Sequence, residues 1–171
     1  SGLATVTNLF ATGQYDVMLV VSNASGEGAT KLRLAYIRVY PTVYFVSTTG
    51  GHAVPYDTWG RAATNIQTVI DYAYAPGSTQ IVIWVAAGTY TRNSRLDITK
   101  PVTVQSVDGP AATVIRWPAA SARVVYMPNA GGVLNGFTVR DGTQGGVYLE
   151  AGLVTNCFII NNSAGQVQGA G

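Results

Sequence analysis

The stretch NGFTVRDG at residues 135–142 is echoed by NCFIINNS at residues 156–163. Three of its side chains recur 21 residues later: Asn135 as Asn156, Phe137 as Phe158, and Asp141 as Asn162. A period of this length is typical of repeat architectures. It matches one coil of a parallel β-helix, in which equivalent residues stack at about 4.8 Å.

The recurring side chains are therefore expected to stack from one coil to the next. Phe137 would lie against Phe158 inside the coil, and Asn135 with Asn156 would form a ladder of side-chain amides at a bend. Tyr126 and Tyr148 are 22 residues apart, so they occupy equivalent positions as well. These residues are the predicted structural ladder of the solenoid.

The composition independently predicts an all-β protein. Of its 171 residues, 47% are hydrophobic and only 11% are charged, and 20 are glycine. Short apolar runs rich in Val, Thr and Tyr between glycine-containing turns are typical of strands. No apolar run approaches the ~20 residues of a transmembrane helix, so we predict no membrane span.

Residue types limit the chemistry that the chain can carry. The single cysteine, Cys157, and the single histidine, His52, exclude an internal disulfide and favour no metal site or Ser-His-Asp triad. We predict no cofactor. The formal net charge of +2 is small and scattered, which argues against a nucleic-acid partner.

The N-terminal region has a different pattern from the rest. Residues 14–40 contain two alternating apolar segments around the polar stretch SNASGEG, which predicts two antiparallel strands. Pro41-Thr42 interrupts this pattern, so we place a domain boundary there and predict domains 1–41 and 42–171.

The first of these domains resembles the end of an immunoglobulin-like PKD (polycystic-kidney-disease-type) domain. The resemblance rests on a G-x-Y-x-V-x-L-x-V-x-N pattern formed by Gly13, Tyr15, Val17, Leu19, Val21 and Asn23. The family's W-x-F-G-D-G motif is missing. The resemblance thus implies only a partial β-sandwich, about its last three strands, with an uncovered sheet.

One helix is predicted, at residues 62–75. Ile66, Val69, Ile70 and Ala73 are spaced i, i+3, i+4 and i+7, which places them on one apolar face. A solenoid needs a cover over its first coil, and we predict that this helix is that N-terminal cap.

From about Val43 onward the chain is similar to bacterial pectin-lyase-like surface proteins of the "choice-of-anchor" type, which are right-handed parallel β-helices. The similar stretches are VYFVSTTG, AATNIQTVIDYA, IWVAAGTYT, KPVTVQSVDGP and GFTVRDG, in this order. The resemblance implies a secreted or surface-attached bacterial protein. It leaves the activity open, because this fold hosts polysaccharide lyases, glycoside hydrolases, adhesins and structural stalks.

Weak catalytic candidates are Asp108, Asp141 and Arg140. A glycosidase needs two carboxylates about 5–10 Å apart, and a lyase needs acidic calcium ligands beside a basic side chain. However, Asp108 and Asp141 each precede a glycine, which is typical of turns, and we favour that structural role. Convergence of both with Arg116 and Arg140 on one groove would favour an enzyme.

Weak ligand-binding candidates are Trp117, Tyr126 and Tyr148. If these rings point outward, they predict a sugar-binding face; if they point inward, they belong to the core. We expect an inward or half-buried position.

The leading functional hypothesis is an extracellular or cell-surface structural protein that serves in adhesion, as a scaffold or in a filament. Polysaccharide or surface glycan is one predicted partner, and end-to-end self-association through the open solenoid end or the incomplete sandwich is another. The alternative is a polysaccharide lyase or glycoside hydrolase of the same fold.

Overall fold

A computed structural model describes residues 9–74, 80–118 and 123–163. The chain divides into two compact units, Ser1–Pro41 and Thr42–Gly171. Within the described residues, no helix is both long and apolar enough to cross a bilayer.

The first unit contains an antiparallel hairpin of β1 (Gly13–Ser22) and β2 (Gly28–Val39). The Asn23 side chain stabilises the connecting turn, since its Oδ1 accepts hydrogen bonds from the backbone N–H groups of Ser25 and Glu27. The two predicted strands and their polar loop are therefore confirmed. A sandwich is not: in this unit the structure describes these two strands, and the PKD-like assignment stays a prediction.

The second unit contains one short 3₁₀ helix at Trp59–Arg61, one α-helix, α1 (Ile66–Tyr72), and a series of short strands. In chain order the strands are β3 (Val43–Val46), β4 (Ile81–Val85), β5 (Gly88–Thr91), β6 (Leu96–Asp97), β7 (Val102–Ser106), β8 (Thr113–Arg116), β9 (Val125–Met127), β10 (Val133–Asn135), β11 (Thr138–Arg140), β12 (Val147–Leu149), β13 (Leu153–Thr155) and β14 (Phe158–Ile160).

These strands form three parallel sheets. The first sheet has the order β13-β10-β7-β4-β3, the second β14-β11-β8-β5, and the third β12-β9-β6. Each coil contributes one strand to each sheet before the chain rises to the next coil. The predicted all-β fold is thus confirmed as a parallel β-solenoid of about three turns.

The interior of the solenoid is built from columns of apolar side chains. Alternate residues of each strand point inward, so Ile83, Val104 and Leu134 stack in register and are fully buried. The second sheet adds a buried column of Tyr90, Ile115 and Val139. Such alternation needs only the period-2 pattern of each strand and the in-register stacking of coils.

The predicted helix is present and shorter than expected, and Ile66, Val69 and Ile70 are buried as its periodicity indicates. Its Gln67 side chain forms two hydrogen bonds with the backbone of Asp97 in β6: Nε2 donates to the carbonyl (3.1 Å) and Oε1 accepts from the amide (2.8 Å). The helix therefore satisfies backbone groups on the outer edge of the third sheet. Its wider role as a cap stays a prediction.

The register of the last two coils differs from the expected one. Val133 pairs with Leu153 and Thr138 with Phe158, so the offset is 20 residues rather than 21. Asn135 faces Thr155 and not Asn156. The amide ladder runs the other way, because Asn135 Nδ2 donates to Oε1 of Gln105, its in-register neighbour in the preceding coil, at 2.7 Å.

The same shift separates the two phenylalanines. Phe137 is fully buried, whereas Phe158 is 53% exposed, so they do not stack inside the coil. Cys157 takes the position equivalent to Phe137, and its Sγ accepts a hydrogen bond from the Phe137 backbone N–H at 3.4 Å. The expected Phe137–Phe158 contact is therefore corrected.

Left-handed backbone conformations explain the 20-residue register. Gly136 (φ 83°) and Asn156 (φ 49°) occupy one bend, and Asp141 (φ 66°) and Asn161 (φ 53°) occupy the next. Glycine adopts this region without strain, and Asn and Asp tolerate it better than other residues. Asn156 thus matches Gly136 in backbone shape, and its identity with Asn135 in the sequence is a coincidence of spacing.

Candidate functional site

The outer face of the third sheet carries a pair of stacked tyrosines. Tyr126 in β9 and Tyr148 in β12 are in register, with ring centroids 5.4 Å apart and ring planes inclined by 24°. They alternate with the buried Val125 and Met127, so they point away from the core. We call Tyr126 and Tyr148 the tyrosine ladder. The expectation of an inward or half-buried position is wrong for Tyr148, which is 40% exposed.

Two arginines lie over these rings. The guanidinium carbon of Arg95 is 4.2 Å from the centroid of Tyr126, and that of Arg123 is 4.6 Å from the centroid of Tyr148. Cation–π contacts of this kind contribute about 0.5–1 kcal/mol at exposed sites. They hold both rings upright, and they also occupy ring surface that a flat-stacking sugar would need.

Glu150 joins the two tyrosine hydroxyls. Tyr126 Oη donates to Glu150 Oε2 at 2.9 Å. The hydrogen bond to Glu150 raises the pKa of Tyr126, with a smaller contribution from partial desolvation. A hydrogen bond to the same carboxylate raises the pKa of Tyr148. Both hydroxyls thus remain protonated donors at neutral pH, fixed in one row along the solenoid.

A surface cavity adjoins the tyrosine ladder. It has a volume of about 510 Å³ and is lined by Gln67, Asp71, Ser94, Arg95, Asp97 and Thr99. Asp97 is in register with Tyr126, and Arg95 forms an ion pair with Asp97 while lying over the Tyr126 ring. The cavity and the ladder therefore form one continuous polar surface of hydroxyl, amide, carboxylate and guanidinium groups.

Trp117 does not belong to this surface. It follows β8, is partly buried, and packs against the hydrophobic core. The three aromatic candidates thus separate into two outward tyrosines and one tryptophan that serves packing.

The two candidate carboxylates lie at opposite ends of the second sheet. Asp108 precedes β8 and its Oδ2 accepts a hydrogen bond from the backbone N–H of Ala87 at 3.3 Å, which ties it to the turn before β5. Asp141 directly follows β11. A four-residue strand spans roughly 10–13 Å at about 3.3 Å per residue, so these carboxylates are not arranged as a glycosidase pair.

Arg116, Arg140 and Asp141 do converge. Arg116 and Arg140 are in register on neighbouring coils, and their Nε atoms lie 2.8 Å and 3.8 Å from Asp141 Oδ2. Of the four residues proposed to discriminate between an enzyme and a structural protein, three meet and Asp108 lies apart.

Metal-binding chemistry finds no support in residues 9–74, 80–118 and 123–163, where no group of three or more His, Cys, Asp or Glu side chains could hold an ion. Burial raises the pKa of Cys157, which keeps it a neutral thiol. His52 Nδ1 accepts a hydrogen bond from the Thr64 backbone N–H at 3.1 Å, so it stabilises the loop before α1.

Sequence reasoning missed Arg95, Arg123 and Glu150 as members of the tyrosine surface. The coils differ in length, since Asp97 pairs with Tyr126 after 29 residues and Tyr126 with Tyr148 after 22. A fixed period therefore could not align Arg95 with Tyr126. The alternation of Tyr126 with apolar neighbours was the one signal for its outward direction.

Comparison with known proteins gives no match to a protein-family model, to a curated protein or to a solved structure. The fold and the surface described above therefore define the class of protein, a parallel β-solenoid with an outward tyrosine ladder. The pectin-lyase-like family and the right-handed twist stay predictions.

Proposed function

We propose that this chain is part of an extracellular or cell-surface structural and adhesive protein whose tyrosine ladder contacts carbohydrate. The observation that carries the proposal is the outward stack of Tyr126 and Tyr148, joined by Glu150 and continuous with the cavity at Arg95 and Asp97. A rigid solenoid provides a fixed surface for adhesion because each coil is held by its neighbours.

The chemistry of this surface suits a sugar. Saccharide hydroxyls both donate and accept hydrogen bonds, and the carboxylates of Asp97 and Glu150 accept them while the tyrosine hydroxyls can do either. Because guanidinium groups already lie over the rings, we expect contact through the ring edges and hydroxyls rather than flat stacking on a free face. The volume of about 510 Å³ is within the range of small-ligand sites.

The test is binding of neutral oligosaccharides, first on a glycan array and then by calorimetry. We expect saturable binding that Tyr148→Ala and Glu150→Gln each weaken about tenfold, a loss of ~1.4 kcal/mol. Both substitutions lie on the surface, so folding should be preserved.

Tyr36→Ala is the matched control. Tyr36 is 62% exposed and also has an arginine over its ring, Arg33 at 5.5 Å, but it lies in the hairpin. Its removal should leave binding unchanged. Absence of saturable binding to any glycan, or an equal loss in Tyr36→Ala, would refute carbohydrate contact at the tyrosine ladder.

The alternative of a polysaccharide lyase or hydrolase lacks a comparable observation. Its two carboxylate candidates, Asp108 and Asp141, are held in separate turns. Release of unsaturated or reducing sugar from polyuronides by the purified chain would favour this alternative.

A further inference from the structure

The second sheet carries an excess of positive charge at the carboxyl end of its strands. Arg116 ends β8 and Arg140 ends β11, and the two residues are direct in-register neighbours. Their backbones are thus separated by one strand spacing, about 4.8 Å. Asp141 is the one carboxylate within ion-pair distance of either arginine among the described residues. We call Arg116, Arg140 and Asp141 the arginine cluster.

This ratio differs from that of the other ion pairs in the described part of the chain. Arg61 pairs with Asp57, and Arg95 pairs with Asp97, so each of those arginines has its own carboxylate. In the arginine cluster two cations share one anion. Like charges about 4 Å apart repel by about 1 kcal/mol in bulk water and by about 4 kcal/mol near a protein surface. One further negative charge would balance the cluster.

The hydrogen bonding of the cluster is also incomplete. The Nε–H groups of Arg116 and Arg140 are buried, and neither has a hydrogen-bond acceptor of suitable geometry, even though Asp141 Oδ2 is close. No side-chain hydrogen bond from either guanidinium is formed within residues 9–74, 80–118 and 123–163. A guanidinium carries five N–H donors in a fixed fork that fits a carboxylate or a sulfate. The cluster thus has more donors than acceptors.

The cluster is accessible and held in place. The side chains of Arg116 and Arg140 are 32% and 36% exposed, so their outer nitrogen atoms can reach a ligand. Both residues belong to paired strands, which keeps their separation constant. Asp141 is fixed as well, because its backbone N–H donates to the carbonyl of Asn161 at 3.2 Å.

We propose that Arg116 and Arg140 form a binding site for an oxyanion group, the carboxylate or sulfate of an acidic saccharide. The anion site follows from the charge and hydrogen-bond imbalance alone, and only the naming of a saccharide rests on the proposed function. Asp141 competes with the ligand for the two guanidinium groups. A single pair of arginines suits one oxyanion at a time rather than the extended phosphate backbone of a nucleic acid.

The experiment measures binding of three oligosaccharides of equal length by calorimetry: an oligogalacturonate, a heparin-derived sulfated oligosaccharide and a neutral glucan. We expect the charged probes to bind, and their affinity to fall as salt is raised. Arg116→Gln and Arg140→Gln should each lower that affinity about tenfold. The preferred charged probe identifies carboxylate or sulfate as the ligand group.

Asp141→Asn distinguishes a binding role from a structural one. Removing the competing carboxylate should strengthen binding of the charged probes several-fold, whereas a purely structural ion-pair cluster would only lose stability. Asparagine is suited to this backbone, because Asn161 occupies the equivalent bend one coil later with φ 53°. This variant decides the question even if an arginine variant fails to fold.

Arg61→Gln is the control, since it removes an exposed arginine that has its own partner, and it should leave binding unchanged. The proposal is overturned if folded Arg140→Gln binds the charged probes as the wild type does, or if Asp141→Asn does not strengthen binding. Failure of the tyrosine-ladder proposal is a separate result, because Tyr148→Ala affects binding of the neutral glucan. A preference for a DNA oligonucleotide over all saccharides would also reject the saccharide assignment.

Discussion

The hairpin and the solenoid use similar apolar strands with opposite results. In the solenoid, Val104 and Leu134 alternate with half-buried polar residues and are fully buried. In the hairpin, Leu19 and Leu32 lie in equally apolar strands, yet they are 61% and 54% exposed. Apolar alternation therefore creates a core only where a further layer closes over it.

The difference arises from the number of neighbours that each strand has. In the solenoid, β7 is paired on both sides, with β4 and β10, and the other two sheets cover its inner face. In the described residues β1 pairs only with β2. An isolated two-stranded ribbon is marginally stable in water, because it cannot bury either face.

The largest effect is expected where the solenoid core is opened. Phe137→Ala removes a fully buried ring and should lower the free energy of unfolding by about 3–5 kcal/mol, through lost transfer energy and the cavity left behind. Urea denaturation followed by circular dichroism measures this loss.

Phe158→Ala is the matched control, because its ring is 53% exposed, and it should cost about 1 kcal/mol or less. Equal losses in the two variants would restore the 21-residue stacking of Phe137 on Phe158 and contradict the observed register.

A smaller effect tests the bends that set this register. Gly136→Ala should destabilise the solenoid by about 1–2 kcal/mol, since alanine is strained at φ 83° and its Cβ would lie 3.2 Å from Cβ of Ser106. Thermal unfolding measured by calorimetry provides the value.

Asn156→Gly is the companion variant at the equivalent bend, where φ is 49°. Glycine relieves the left-handed strain, so the folded state should lose little or gain slightly, within about 1 kcal/mol. A loss of several kcal/mol would show that the Asn156 side chain, and not its backbone conformation, stabilises the bend.

The smallest effect is expected in the hairpin. Leu19→Ala should change the free energy of unfolding by less than about 0.5 kcal/mol, because the side chain is 61% exposed. Chemical denaturation is again the measurement. A loss above about 2 kcal/mol would show that this face is covered, as in a complete sandwich or an assembly, and would remove the contrast with the solenoid.

The stacking of coils was predictable from sequence because it depends on local patterns. The alternation in IVIWV and VTVQS predicts which side chains point inward, and the spacing of Tyr126 and Tyr148 predicts their register. The buried face of α1 followed from the spacing of Ile66, Val69 and Ile70 in the same way. Periodicity is a property of consecutive residues, so it is legible without a structure.

The candidate site was only partly predictable. Tyr126, Tyr148, Arg140 and Asp141 were singled out, but their partners were not, because coils of unequal length bring residues together at 24 and 29 positions as well as 22. The two carboxylate candidates also could not be separated by sequence, since a D-G turn looks the same at either end of a strand.

By itself, the sequence determined the class of fold, its outward and inward faces, and the low charge that leaves a few ionic clusters as the distinctive surface features. The tertiary structure alone decided that Phe158 is exposed while Phe137 is buried, and that two arginines share Asp141. The physical reason is that register depends on where the backbone turns left-handed. Glycine, asparagine and aspartate can all provide that turn, so residue identity does not reveal which positions are equivalent.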